Sequence, residues 1–413
     1  MSNRRGLSVC PPEELVAARH RDPYPYFAWL RAHAPAYREV SPSGLPVWQI
    51  TRYDDVRDLL ADPRLSKRPA TTGRACPTGP AGLQDNLVNA DPPEHTRLRK
   101  LVNKAFVPAQ VKALEPLIQA TAEDLLDRMP PGTADLIDDF AAPLAFSMIR
   151  TILGVPDDLD TPELRGMLLD TLTYDAAGSD GKADLDRRLH AYLAELIARK
   201  RREGGHGSGD LLMHLIAACD EAGNLTEREL IGTAYILLLV GQDTTVNLIG
   251  NGTLALLRHR DQLDLLRERP YLIDSAIEEL LRYDAPVRKA TFRAAAEPLP
   301  LHGTTIPAGD VVSLVIASAN RDPDRFERAD ELDLTRTPND HLSLGRGPHF
   351  CVGAALARLE GRIAFPLLLR RLGHIELAVP PESLTWRPSR VMRGLTHLPI
   401  SWTSPAVRRG RPC

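Results

Sequence analysis

Residues 341–360 read His-Leu-Ser-Leu-Gly-Arg-Gly-Pro-His-Phe-Cys-Val-Gly-Ala-Ala-Leu-Ala-Arg-Leu-Glu and carry the clearest chemistry in the chain. Cys351 stands between a glycine-broken loop and an apolar helix. Gly345 and Gly347 free the backbone for turns that a Cβ would block, and Gly353 lets the chain pass close to something flat and large. Beyond it Leu356, Leu359, Ile363 and Leu367 recur at helical spacing. A sulfur just before a helix start faces unpaired N–H groups and the positive end of the helix dipole, so a thiolate is expected. A thiolate held in this way can ligate iron.

Three other groupings have residue types suited to chemistry. His95 and Arg99, behind Pro92, Pro93 and Glu94, stand four apart and share a helix face; two donors on one face suit an anion. Gly241-Gln242-Asp243-Thr244-Thr245 interrupts a long apolar helix that opens on a Thr226/Glu229 capping box. Polar groups there are costly unless satisfied, and a hydroxyl can bond back to the carbonyl four residues earlier. Glu279 and Arg282 stand three apart on a further helix; alone, such a pair is an ordinary surface ion pair of little worth.

Taken together, Gly-x-Gly-x-His-x-Cys-x-Gly-Ala-x-Leu-Ala-Arg-x-Glu, with His341 ahead of it, closely resembles the haem-binding signature of the cytochrome P-450 family, bacterial soluble type. The resemblance runs over residues 23–403. It implies a single-domain, mostly α fold with small β-sheets enclosing haem b, with Cys351 as iron ligand. It carries His95, Arg99, Arg293, His349 and Gly353 over as haem-binding positions, the first three toward the propionates. Asp243 and Thr244 carry over as the acid–alcohol pair that delivers protons to bound dioxygen. Glu279 and Arg282 become a buried structural pair. The usual third arginine is replaced, since the corresponding stretch reads Asp330-Glu331-Leu332-Asp333; Arg336 is the candidate substitute. Val240, Gly241, Val287, Ala290 and Thr291 are expected to line the substrate pocket, with the turn beginning at Met392 closing it. Two positions depart from the family's habit: Leu344 where Phe is usual, and Val240 where a smaller residue is, which implies a narrower, stiffer ceiling.

The activity implied is a monooxygenase acting on a lipophilic small molecule of secondary metabolism, by hydroxylation or epoxidation. A non-oxygenating haem-thiolate sensor and a peroxide-driven enzyme are the alternatives; the Asp243–Thr244 pair argues against both. The chain shows no flavin or nicotinamide segment, so electrons from NAD(P)H are expected through a ferredoxin and its reductase. Arg97, Lys100, Arg346, Arg358 and Arg362 flank the haem segments and form a candidate basic docking patch.

Composition agrees with a soluble enzyme. Hydrophobic residues make up 43% of 413, enough for a large core, and a net charge of −3 implies no nucleic-acid partner. The cysteines, five in number, are scattered and show no C-x-x-C, against a disulfide framework or a zinc site. Neither a signal peptide nor a bilayer-spanning run is visible, so a cytoplasmic monomer is expected.

The elements that must position these groups follow in order. Residues 1–22 read as a polar lead-in, 23–34 as a helix, 47–51 as a strand and 54–61 as a helix. Residues 66–88 read as a long loop over the pocket. Amphipathic helices are expected at 109–129, 141–154, 162–173, 184–203 and 209–221, with 174–182 as a mobile loop. The central helix spans 226–257, another spans 272–283, short strands fill 299–315 and 374–403, and 404–413 is a disordered tail.

Overall fold

The computed structural model describes residues 10–41, 44, 46–68, 83–159, 161–172, 179–203, 210–220 and 224–403. The expected pocket loop therefore lies mostly outside the described residues, as do 174–178 of the expected mobile loop and the C-terminal tail.

The architecture is built around one helix, Glu227–Arg258. Its start is fixed locally. Thr226 Oγ1 accepts from the Glu229 N–H at 3.3 Å, and the Glu229 carboxylate accepts from the Thr226 N–H at 2.9 Å. From Leu230 onward nearly every residue is buried, which is the pattern of a core helix rather than a surface one. Neighbours come close where glycine leaves room. A Cβ on Gly241 would lie 2.7 Å from Ile149 of helix Ala142–Leu153, and one on Gly252 would lie 2.7 Å from Phe365 of helix Ala354–Arg371. The last of these, the cysteine helix, also packs on helix Ile273–Tyr283.

Small sheets lie at the edge. A five-stranded sheet runs Ala36–Val40, Pro46–Ile50, Val311–Leu314, Ala294–Ala295, Leu65–Ser66 in spatial order. Only the Pro46–Ile50/Val311–Leu314 pair is parallel, with Val47 opposite Val311. Thr133–Asp135, Pro399–Thr403 and His374–Leu377 form a three-stranded sheet. No helix among the described residues is long and apolar enough to cross a membrane.

Several boundaries differ from the sequence reading. The expected helix over 109–129 is two, Pro108–Ala113 and Glu115–Arg128. Pro116 sits in the first turn of the second, where its missing N–H is harmless; inside one continuous helix it would break a hydrogen bond. Helix Ser179–Glu203 starts within the stretch expected to be a loop, and the chain absorbs Gly181 in the first turn. The lead-in is not wholly irregular, since Glu13–Ala18 is helical.

Candidate active site

Cys351 follows a tight turn, Gly347–His349, and precedes the cysteine helix by two residues. Its N–H donates to the Leu344 carbonyl at 2.8 Å, so Leu344, buried at 9% exposure, ties the loop. Gly345 and Gly347 hold φ of +74° and +71°, which disfavours any side chain. At Gly347 a Cβ would also sit 2.7 Å from that of Ala61. Gly353 differs: a Cβ there would meet only Phe106, at 4.0 Å, so its face opens on free space.

The helix start is not the only influence on the Cys351 thiol. Burial pushes its pKa up. The Gly353 N–H, Arg99 and Arg358 pull the other way but do not win. A metal ion bound at the sulfur would favour the thiolate, since coordination displaces the thiol proton.

Beside this loop lies a cluster of bases. The His95 and His349 rings approach to 4.2 Å between centroids. Burial first, then Lys67, His95, Arg293 and Arg99, push His349 down to about 2. Burial holds Arg293 down at about 10 and Lys67 well below its ordinary value. Asp91, the nearby carboxylate, is engaged by Ser66 Oγ at 2.6 Å and the Lys67 N–H at 3.0 Å. His95 Nε2 is buried with no hydrogen-bond partner. Asp91 is the carboxylate that acts on Lys67, His95 and Arg293 together, so among the described residues these bases outnumber their counter-charge. Arg99 stands aside: it donates to the Phe350 carbonyl at 2.6 Å and to Asn103 at 2.8 Å. Lys67, which donates to Thr291 Oγ1, was not singled out by sequence, because it lies in what reads as a featureless loop.

On the central helix, Thr244 Oγ1 donates back to the Val240 carbonyl at 2.9 Å. Asp243 is 1% exposed and accepts from Asn247 Nδ2 at 2.9 Å. Arg387 comes from the C-terminal segment to within 2.5 Å of Asp243 Oδ1 and also donates to Asn247 Oδ1 at 2.5 Å. No N–H is aligned on Asp243 Oδ1, so the Arg387 contact there is electrostatic. Gly394 makes the approach possible, for a Cβ would stand 1.8 Å from Asn247 Oδ1. Thr245 donates to Glu360 of the cysteine helix at 2.8 Å, and burial pushes Glu360 up to about 8. Arg387 and Glu360 were given no role by sequence: their partners lie more than a hundred residues away.

The pocket residues expected from sequence do not all face one space. Val240 is half-buried against the main core, but Gly241 faces Ile149. Val287 bridges to Met392, on the far turn. Thr291 meets Lys67. Ala290 lines a separate cavity on the sheet side, with Arg288 and Phe292.

Beneath the cysteine loop, Glu279 and Arg282 are fully buried and doubly bonded, both at 2.8 Å. Arg336 completes the set, with Nε 3.2 and 3.1 Å from the two Glu279 oxygens. The expected docking patch is largely neutralised. Arg358 binds Glu278 at 2.7 Å through two nitrogens, Arg362 pairs with Asp274, and Arg97 pairs with Glu229. Arg346 stays exposed, near the 41%-exposed Phe350.

Residues 256–394 match the family model for cytochrome P450. The PikC monooxygenase of Streptomyces venezuelae is 44% identical over 99% of this chain and 97% of its own. The vitamin D(3) 25-hydroxylase of Pseudonocardia autotrophica is 43% identical over 92% and 94%. The solved structure of the tirandamycin C-bound P450 monooxygenase TamI superposes with a TM-score of 0.86 at 40% identity, covering 94% of this chain and 98% of that one. The chain belongs to the cytochrome P450 family. It has the P450 fold, mostly helical with small sheets in a single domain, and it is an oxidoreductase of the P450 monooxygenase kind.

Membership of the P450 family implies haem, and the residues present fit it. The orphaned His95 Nε2 and the bases around it, which share the one carboxylate of Asp91 among the described residues, suit a pair of carboxylates. The open face of Gly353 leaves room for a flat group beside the Cys351 sulfur.

Proposed function

We propose that this P450 inserts one atom of dioxygen into a lipophilic small molecule of secondary metabolism, by hydroxylation or epoxidation. The reading rests on one observation above others: a buried acid and a threonine stand side by side in the middle of the central helix, which is hydrogen-bonded through Thr245 to the helix that follows Cys351.

Cys351 would hold the iron of haem b, with His95, Arg293, His349 and Lys67 facing its propionates and Arg99 bracing the loop at Phe350. Bound in this way, haem supplies oxygen activation, and a thiolate ligand favours cleavage of the O–O bond. The remaining work belongs to the chain. The apolar surroundings of the central helix exclude bulk water. The Thr244 hydroxyl keeps its proton on Oγ1, at rest on the Val240 carbonyl, and can turn that proton toward the pocket. Asp243 stands next to it as the acid that replenishes it, and Arg387 and Asn247 set its position. Removing the hydroxyl removes the last donor. Thr244→Ala is expected to keep consuming NAD(P)H while product falls about tenfold or more and hydrogen peroxide rises to match. Measuring cofactor consumed against product and peroxide checks this; full coupling in the variant would refute the role.

The substrate class draws on relatives whose names point to lipophilic natural products: tirandamycin for TamI, and polyketide biosynthesis for PksS of Bacillus subtilis. In this chain the aliphatic Val240 and Val287 and an aromatic content of 5% agree with a non-planar ligand.

Electrons would come from NAD(P)H through a ferredoxin reductase and a ferredoxin, to a monomer in the cytoplasm. With Arg358 and Arg362 already paired, Arg346 and the apolar Phe350 are left as the contact on the cysteine face. Arg346→Glu is expected to raise KM for ferredoxin by roughly threefold to tenfold at low salt, with kcat at saturation little changed. Steady-state titration with ferredoxin tests it, and an unchanged KM counts against this docking face.

A further inference from the structure

A second cavity, of about 510 Å³, lies on the sheet side of the segment that carries Val287 and Thr291. That segment is pinned between two others. Arg288 N–H donates to the Val391 carbonyl at 2.9 Å, and Ala290 N–H donates to the Leu314 carbonyl at 2.9 Å. Arg288, Lys289 and Ala290 line the cavity from one side; Arg19, Glu39 and Arg390 line it from others.

The charges there do not balance. Among the described residues Arg19, Arg288 and Lys289 face a single carboxylate on the cavity wall, Glu39, which already pairs with Arg19 at 3.4 Å. Arg288 gives one nitrogen to the Ser389 carbonyl, while its Nε is buried with no partner. Among the described residues no carboxylate pairs with Lys289. Burial pushes Lys289 down to about 8; Glu39 opposes this, and Arg288, Arg19 and Arg390 add to it. Burial likewise holds Arg288 at about 10. Cations left half-buried without counter-charge are costly, and a bound anion offsets that cost. The rest of the wall is apolar: Phe27, Phe292 and Val311 line it, and Val40, 66% exposed, stands at its rim. A bare phosphate would use the cations and waste this wall; a neutral lipid would do the reverse.

We propose that this cavity binds a lipophilic carboxylic acid, its carboxylate on Lys289 and Arg288 and its chain along Phe292 and Val40, at a site separate from the haem pocket. The inference does not depend on the oxygenation chemistry, because its readout is binding.

The test is equilibrium dialysis of radiolabelled laurate against the haem-loaded protein, with the haem pocket blocked by saturating phenylimidazole. One saturable site is expected, with dodecanol at least about tenfold weaker. Lys289→Met should weaken laurate about tenfold or more, the loss of a charge-assisted hydrogen bond, and Lys289→Arg should restore most of it. Val40→Glu, at a rim position that does not challenge folding, should also weaken laurate and leave dodecanol nearly unchanged. No saturable laurate binding, equal binding of dodecanol, abolition by phenylimidazole, or indifference to both Lys289→Met and Val40→Glu would each overturn the proposal.

Discussion

Cys351→Ser is expected to lose the far-red-shifted Soret band of the reduced carbon monoxide complex and to bring product formation to background. The position admits little else. The sulfur is held by a backbone bond from Cys351 to Leu344 at 2.8 Å and by turns at Gly345 and Gly347, and a serine keeps all of that. What it removes is the soft, polarisable ligand. A hydroxyl is a far poorer donor to iron than a thiolate, and its proton is harder to displace. Because the burial that already raises the thiol pKa bears on an alkoxide more strongly, serine would stay protonated and bind weakly. The carbonyl spectrum separates the outcomes. A band at the ordinary histidine-haem position or no bound haem would agree with Cys351 as ligand. An unchanged red-shifted band in the variant would mean that another residue holds the iron. Circular dichroism should stay native, since neither the loop bonds nor the cysteine helix depends on the sulfur.

Glu279→Gln is expected to have the largest effect on stability. Glu279 and Arg282 are each 0% exposed, and Arg282 further donates to the carbonyls of Asn320, Ala329 and Glu331 at 2.9, 2.7 and 2.8 Å. Glu279 also accepts from the Asp333 N–H at 2.9 Å and from Arg336. Neutralising it leaves Arg282 and Arg336 as positive charges without a carboxylate. Breaking a buried pair from one side costs about 3–5 kcal/mol, to be read as a lower midpoint in urea with earlier release of haem. Arg336→Gln should cost less, because the Glu279–Arg282 pair survives it. A loss below about 1 kcal/mol in Glu279→Gln would mean that this network does not hold the segment beneath the cysteine loop.

The legible parts of this molecule are those whose causes lie within a few residues. The capping box at Thr226 and Glu229 needs only an i, i+3 relation, and the structure has both of its bonds. The apolar run after it predicts a buried helix because no side of it could face water. The turns around Cys351 follow from glycines at neighbouring positions. The same locality misleads where a breaker is subtle: Pro116 splits a helix that periodicity alone joins, and Gly181 suggests a loop where a helix runs.

What sequence alone determined, then, is the family, the fold class and the order of the elements, since local patterning and a long resemblance suffice for those. Only the tertiary structure decided what each charge does. Cys351 sits just before a helix start, yet burial pushes its pKa up against the Gly353 N–H, Arg99 and Arg358. Arg358 and Arg362 look like a free basic face until Glu278 and Asp274, some eighty residues earlier, come to meet them. Arg336 reaches Glu279, and Arg387 reaches Asp243, from elements far along the chain. Lys67 joins a cluster built from His95, Arg293 and His349. A pKa or an ion pair depends on burial and on separations of a few ångströms, and those distances exist only once the chain has folded.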